Sequence, residues 1–325
     1  MGILRFFGRR FVHSVFVFLS VVTLLFFLFR RMPGDPTSLF LGPEMGKEAI
    51  EQIRRAFGLD QPLYIQYIKY IINIFRGNFG ISYFYAEPAS RVVLEATGNT
   101  LVLAIPSLCL SYIFGVIGGT VLAWKRGTKL ELGGMVLALI LRSAPAFWIG
   151  LIFLYVFAFQ LNLFPGGGIA ATGVAYRNFF EMIFSWSYLH HLILPLFSEA
   201  CYLTGLPLLL TRTSVLEVVK EDYVEMARAK GIGPRRVMFN HVTRTAFLPV
   251  MTAFTTAIAY AFGGSVLIET VFSWPGVGRL LVNAMLGNDY PVSQFAFMVM
   301  ACVMIIMNLL ADFFYAYLDP RITIH

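Results

Sequence analysis

Four ionisable residues, Arg142, Glu199, Glu269 and Asp312, interrupt stretches of sequence that are otherwise apolar, and the pair His190-His191 borders another. A charge in such surroundings is expensive unless it is paired or meets a solute, so each is a functional candidate. Glu199 and Arg142 fall in neighbouring apolar stretches, which leaves two readings. Either they form a buried ion pair, or Glu199 lines a polar path and attracts a cationic group. Glu269 reads as a loop-anchoring carboxylate or as part of a gate. Asp312 lies one turn after Asn308, a spacing suited to a structural hydrogen-bonded pair. Adjacent residues on a helix point about 100° apart, so His190 and His191 do not chelate a metal together and read as boundary residues. Cys109, Cys201 and Cys302 lie far apart in apolar runs, a pattern that implies neither a disulfide framework nor a zinc site.

A second group of chemically informative residues lies in the polar stretch 212–247. Ser214 followed by Glu217 has capping-box spacing and predicts a helix from Val215. Leu216, Val219, Tyr223 and Met226 then recur on one face, with Glu217, Glu221, Glu225 and Arg228 on another. Gly231 stands where a left-handed residue closes a helix. Gly233-Pro234 opens the next one, with the proline at the first helical position. The expected result is two short helices at an angle around a glycine corner. Such a knob suits docking into a groove on a partner; its basic residues equally suit an anionic lipid surface.

The elements that carry these residues are set by composition. Of 325 residues, 58% are hydrophobic and 13% are charged, about half the charge of a soluble domain, and the mean hydropathy is +0.73. This excludes a soluble enzyme, a disordered chain and a nucleic-acid-binding domain. The net charge of +7 then reads as the Lys/Arg bias of cytoplasmic loops.

Six stretches are long enough to cross a membrane, namely 11–29, 100–124, 132–159, 191–211, 248–272 and 293–318. The fold class expected is therefore an all-α polytopic membrane protein. The first stretch reads as an uncleaved helix, because its apolar run is long and Arg30-Arg31-Met32-Pro33 follows it in place of a cleavage site. With the N-terminus inside, the inner segments hold 14 Lys/Arg in 59 residues and the outer ones 10 in 117, of which eight lie in the long segment 30–96. Long segments cross regardless of charge, so both termini are placed inside. Residues 32–96 are expected to form an outer cap with helices at Lys47–Phe57 and Leu63–Phe75, the second presenting Tyr67 and Tyr70 at helical spacing.

Against this frame, Glu225-Met226-Ala227-Arg228-Ala229-Lys230-Gly231, followed by Leu248-Pro249, resembles the E-A-A-x-x-x-G loop of ABC importer permeases. Met226 departs from the alanine of that pattern. The longer spacing between Gly231 and Leu248 resembles the dipeptide/oligopeptide/nickel permease family. Similar stretches run along nearly the whole chain: Pro33-Gly34-Asp35-Pro36, FGLDQPLYIQY (57–67), RGNFGISY (76–83), Ser143-Ala144-Pro145-Ala146-Phe147-Trp148, LIETVFSWPGVGRLL (267–281), Asp289-Tyr290-Pro291 and Leu318-Asp319-Pro320-Arg321.

The resemblance implies a type-I importer permease fold, with a first helix over 1–31, a cap over 32–96 and a core over 97–318. It implies a homologous second permease, two ABC ATPase subunits and an extracytoplasmic substrate-binding protein as partners, in a prokaryotic inner membrane. Loop 212–247 would be the ATPase-coupling loop, carried by Tyr223, Glu225, Met226, Ala227, Arg228 and Gly231. The solute implied is a di- or oligopeptide, with a nickel chelate or an oligosaccharide as alternatives. No G-x-x-x-x-G-K-[ST] run occurs, Gly42 to Lys47 having the wrong spacing. Catalytic residues, resident cofactors and metals are thus not expected, and ATP would be bound by the partner subunits. A secondary carrier is the rival from another class; the sequence lacks the internal repeat typical of carriers, and a carrier would leave loop 212–247 unexplained.

Overall fold

The computed structural model describes the backbone of residues 2–31, 61–174 and 176–318, and their side chains except 2–7, 259–265 and 311–318. Apart from one isolated antiparallel bridge between Ile81 and Pro88, the regular structure among these residues is helical. In chain order the helices are α1 (Gly2–Arg31), α2 (Leu63–Phe75), α3 (Ala89–Trp124), α4 (Lys129–Ser143), α5 (Ala146–Phe153), α6 (Phe179–Ile183), α7 (Trp186–Val218), α8 (Asp222–Ala229), α9 (Pro234–Arg236), α10 (Thr243–Val271), α11 (Val277–Leu286) and α12 (Tyr290–Leu318). Wide π-helical turns over Leu154–Gln160 and Val237–Val242 extend α5 and join α9 to α10.

Four helices are long and apolar enough to cross a membrane: Gly8–Arg31, Ala89–Trp124, Trp186–Val218 and Tyr290–Leu310, with Lys129–Ser143 plus Ala146–Gln160 a fifth if that bent pair is one span. The 29-residue α10 is a further long helix, part of whose side chains lies outside the described residues. The helix expected over 63–75 forms with those bounds. Its neighbour at 47–57 lies outside the described residues.

The single span expected over 132–159 is instead broken by a 108° bend between α4 and α5. Proline disfavours the helical conformation of the residue before it and has no N–H to donate. Ala144 and Pro145 accordingly both take extended ψ angles of 139°. Pro106, Pro195 and Pro207, by contrast, lie inside continuous helices.

The described residues fall into two compact units, the first drawn from within Met1–Gly98 and Gly276–Ile305, the second from within Asn99–Pro275 and Ile306–Thr323. In the first, Val22, Leu25 and Phe29 of α1 pack in one core with Val93, Leu281 and Phe295. Tyr67 of α2 is tied to Thr23 of α1 by a 2.7 Å hydroxyl–hydroxyl bond. The buried Asp289 accepts from the Ser82 hydroxyl at 2.5 Å.

The second unit is built on α7. Its neighbours approach closely because glycines leave room, as small residues do between helices in lipid. A Cβ on Gly119 of α3 would stand 2.5 Å from the Leu208 carbonyl oxygen, and one on Gly205 of α7 would stand 2.6 Å from that of Ala138 in α4.

Candidate functional site

The polar stretch after α7 folds into the corner that its glycines require. α8 ends at Ala229, and Gly231 takes φ +76°, the left-handed conformation that a residue with a Cβ resists. The Gly231 N–H donates to the Arg228 carbonyl at 2.9 Å, and the Ile232 N–H to the Ala227 carbonyl at 3.3 Å. These two reversed bonds make a Schellman closure. Pro234 occupies the first turn of α9. The corner itself follows the sequence expectation.

The start of that helix does not. Ser214 is buried inside α7, which runs unbroken to Val218. The helix arriving from the membrane already satisfies the amides after Ser214, so a cap there has nothing to do. α8 begins instead at Asp222, after Glu221, which makes no side-chain capping bond. The apolar stripe is corrected accordingly: Leu216 belongs to α7, and Val219 to the turn after it. The face of α8 that packs inward is Val224 and Ala227, which join Val215, Val237, Val242 and Ala246 in one small core.

Tyr223 and Met226 point outward, 40% and 57% exposed, flanked by exposed Glu225 and Arg228. The Tyr223 hydroxyl donates to Thr245 Oγ1 at 2.9 Å, tying the outer face of α8 to the start of α10. The eight-residue α8 thus presents two large apolar side chains among charges on a base fixed by packing.

The base has a second tie that sequence reasoning missed. Glu131, buried in the first turn of α4, accepts from Arg212 of α7 through Nε at 2.9 Å and again through Nη2, and from the Gly127 N–H at 2.6 Å. A signal existed. Thr128 caps α4, accepting from the Glu131 N–H, and Thr128-x-x-Glu131 is the capping-box spacing. The partner, 81 residues away, was not legible.

The ionisable residues of the apolar stretches are not brought together. Glu199 is 2% exposed on α7, whereas Arg142, in the last turn of α4, is exposed. The ion pair expected between them is not among those formed by the described residues. Position within neighbouring stretches did not determine which way each side chain faces.

Glu269 is fully buried and accepts from the Thr100 hydroxyl of α3 at 2.6 Å. Its backbone carbonyl takes the Trp274 N–H at 2.8 Å. The Trp274 indole N–H donates to the Asn99 carbonyl at 3.0 Å, and the Asn99 side-chain amide donates to the Pro275 carbonyl at 3.1 Å. Glu269 therefore sits where the loop after α10 is fastened to α3. Asp312 falls in α12, with its side chain outside the described residues. The rings of His190 and His191 stand at 85° to one another, and they bond to different carbonyls, those of Leu163 and Ser187.

Comparison with known proteins gives this arrangement its context. Residues 115–324 match the family model described as binding-protein-dependent transport system inner membrane component, and residues 3–103 match the corresponding N-terminal model. The chain belongs to this family. The permease is 36% identical over 316 residues to the oligopeptide transport system permease protein AppB of Bacillus subtilis, covering 97% of this chain and 98% of that one. It is 36% identical over 339 residues to the di/tripeptide transport system permease protein DppB of Pseudomonas aeruginosa, covering 98% of each. A probable peptide ABC transporter permease of Sinorhizobium fredii, y4tP, matches at 34% over 97% of each chain. The permease is thus an inner-membrane transport component and not a catalytic enzyme, and its family works with a binding protein and ATPases.

Proposed function

We propose that the permease forms one half of the translocation path of an ATP-driven importer of di- or oligopeptides, a homologous second permease supplying the other half. In this reading six spans cross the membrane with both termini in the cytoplasm, residues 32–96 form an outer cap, and 97–318 form the transport core. An extracytoplasmic binding protein delivers the solute, and each permease engages one of two ATPases. The observation that carries the reading is the shape of α8: exposed Tyr223 and Met226, with Glu225 and Arg228 beside them, on a helix locked by Gly231 and by the core around Val224 and Ala227. Apolar anchors on a rigid helix are what a groove on a partner recognises. The peptide substrate is supported by relatives named as peptide permeases over nearly their full length.

Within the path, Glu269 acts as a structural anchor, since its carboxylate and its carbonyl are both engaged in fastening a loop. Glu199 is buried by its own chain. Arg142, exposed next to the bend at Pro145, is left to face the second permease or the solute. Reconstituting the complete transporter in vesicles tests the whole reading. ATP-dependent uptake is expected for short peptides and not for nickel chelates or oligosaccharides. Uptake without ATP or without the binding protein would favour a carrier.

A further inference from the structure

Where α1, α2 and α12 meet the segment after Arg76, the first unit holds an open cleft of about 740 Å³. Its lining includes the polar residues Arg30, Tyr70, Asn73, Tyr83 and Gln294 and the apolar Phe79 and Met298. Arg30 ends the apolar stretch of α1, and Pro291, also in the wall, begins that of α12. Both helices therefore put the cleft at the level of lipid headgroups, whichever way the chain is oriented.

The chemistry of the wall selects an anion. The Arg30 guanidinium carbon stands 5.7 Å from the centroid of the Phe26 ring. Among the described residues no carboxylate lies within 4 Å of it. Asp289, the buried carboxylate among the described residues of this unit, is held by the Ser82 hydroxyl and by the backbone N–H groups of Phe84 and Val292. Burial pushes the Tyr70 phenol up to about 12, so it remains a hydroxyl that can donate. A cation with several neutral donors around it matches the oxygens of a phosphate.

A second feature lies on the same helix. Inward from Arg30, a groove of about 470 Å³ runs along α1, bounded by Phe16, Leu19, Leu24 and Phe27. From residue 16 to residue 27 a helix rises about 16 Å, roughly one leaflet of a ~30 Å hydrocarbon core. A free phosphate has no use for such a groove; an acyl chain does. Exposed Arg76 caps the end of α2, so a headgroup carrying its own ammonium is disfavoured there.

We infer that this cleft binds an anionic phospholipid, its phosphate diester at Arg30 and the Tyr70 hydroxyl and one acyl chain along α1. The site is separate from the coupling corner and does not depend on the solute carried.

The test uses the complete transporter, reconstituted in bilayers of phosphatidylcholine containing labelled phosphatidylglycerol, with retained lipid counted by mass spectrometry after purification. Arg30→Gln should lower the preference for phosphatidylglycerol roughly tenfold, the scale of one lost charge-assisted bond. Arg31→Gln, outside the cleft, should change it less than about twofold. Inorganic phosphate should not displace the labelled lipid. Equal losses in the two arginine variants would reduce the effect to diffuse surface charge and overturn the site. Displacement by inorganic phosphate would overturn the lipid assignment. Should Arg30→Gln fail to accumulate, Asn73→Leu, which removes a polar side chain from the cleft lining on α2 and leaves the spans untouched, should also lower the preference; an unchanged preference in Asn73→Leu would overturn the proposal.

Discussion

At Gly231 the physics is local. An ideal Cβ there meets nothing within 4 Å, but φ is +76°, so substitution is limited by backbone conformation and not by space. Asparagine tolerates the left-handed region better than other residues with a side chain, alanine loses on the order of 1 kcal/mol, and a β-branched residue loses more. Uptake by the reconstituted transporter, and co-purification of its ATPases, should therefore fall in the order Asn, Ala, Val, with Gly231→Asn the mildest; equal activity in Gly231→Val would remove the corner from the coupling role. Arg142 supplies a second residue-scale outcome. Because it is exposed and outside any ion pair formed by the described residues, Arg142→Gln should change stability in detergent by no more than about 0.5 kcal/mol. A loss of several kcal/mol would mean that a buried pair with Glu199 forms after all. Both charges lie in apolar stretches of the sequence, but whether a side chain faces the core or the surroundings depends on helix rotation, which neighbouring helices set.

The elements were legible where their ends carry local chemistry. Leu63–Phe75 starts after Gly58-Leu59-Asp60-Gln61-Pro62, a run of breakers, and formed with the expected bounds. Gly231 and Pro234 fixed the corner for the same reason. Two elements misled. Apolar periodicity joined α4 to α5 across Ala144-Pro145 because hydropathy does not register a change of direction. Ser214 carried a capping signal inside a helix already supplied with hydrogen bonds from the membrane side. Pairings between distant elements, such as Trp274 with Asn99 or Arg212 with Glu131, left no trace in local pattern. The last of these joins α4 to α7 at the first residue of the polar stretch that bears α8. Arg212→Met should leave the buried Glu131 carboxylate with the Gly127 N–H and without its cation. The double variant Arg212→Met with Glu131→Met removes both charges, and replacing a buried pair by apolar residues is often neutral. Thermal unfolding in detergent should therefore rank the single variant below the double; a double variant no better than the single would mean that the pair is not coupled.

At the scale of the whole molecule, orientation decides whether α8 can reach an ATPase at all. The outcome is set by one helix. α7 runs from Trp186 to Val218, 33 residues, or about 50 Å at 1.5 Å per residue, more than the ~40–45 Å of a bilayer with its headgroups. Its two ends must then lie on opposite sides if it crosses near the membrane normal. Phe184, 78% exposed, stands just before one end, and Lys220, also exposed, stands just after the other. In the proposed orientation, which rests on the Lys/Arg excess of the segments assigned inside, Lys220 lies in the cytoplasm. In a background with Cys109, Cys201 and Cys302 replaced, Phe184→Cys should react with a membrane-impermeant maleimide in intact cells, while Lys220→Cys should react only after permeabilisation. The reverse pattern would put α8 on the outer face, where no cytoplasmic ATPase could engage Tyr223 and Met226. The coupling role would then be lost whatever the effect of Gly231 variants on uptake. Labelling of both sites in intact cells would instead require α7 to enter and leave the same side, which a continuous 33-residue helix carrying Pro195 and Pro207 without a break does not permit.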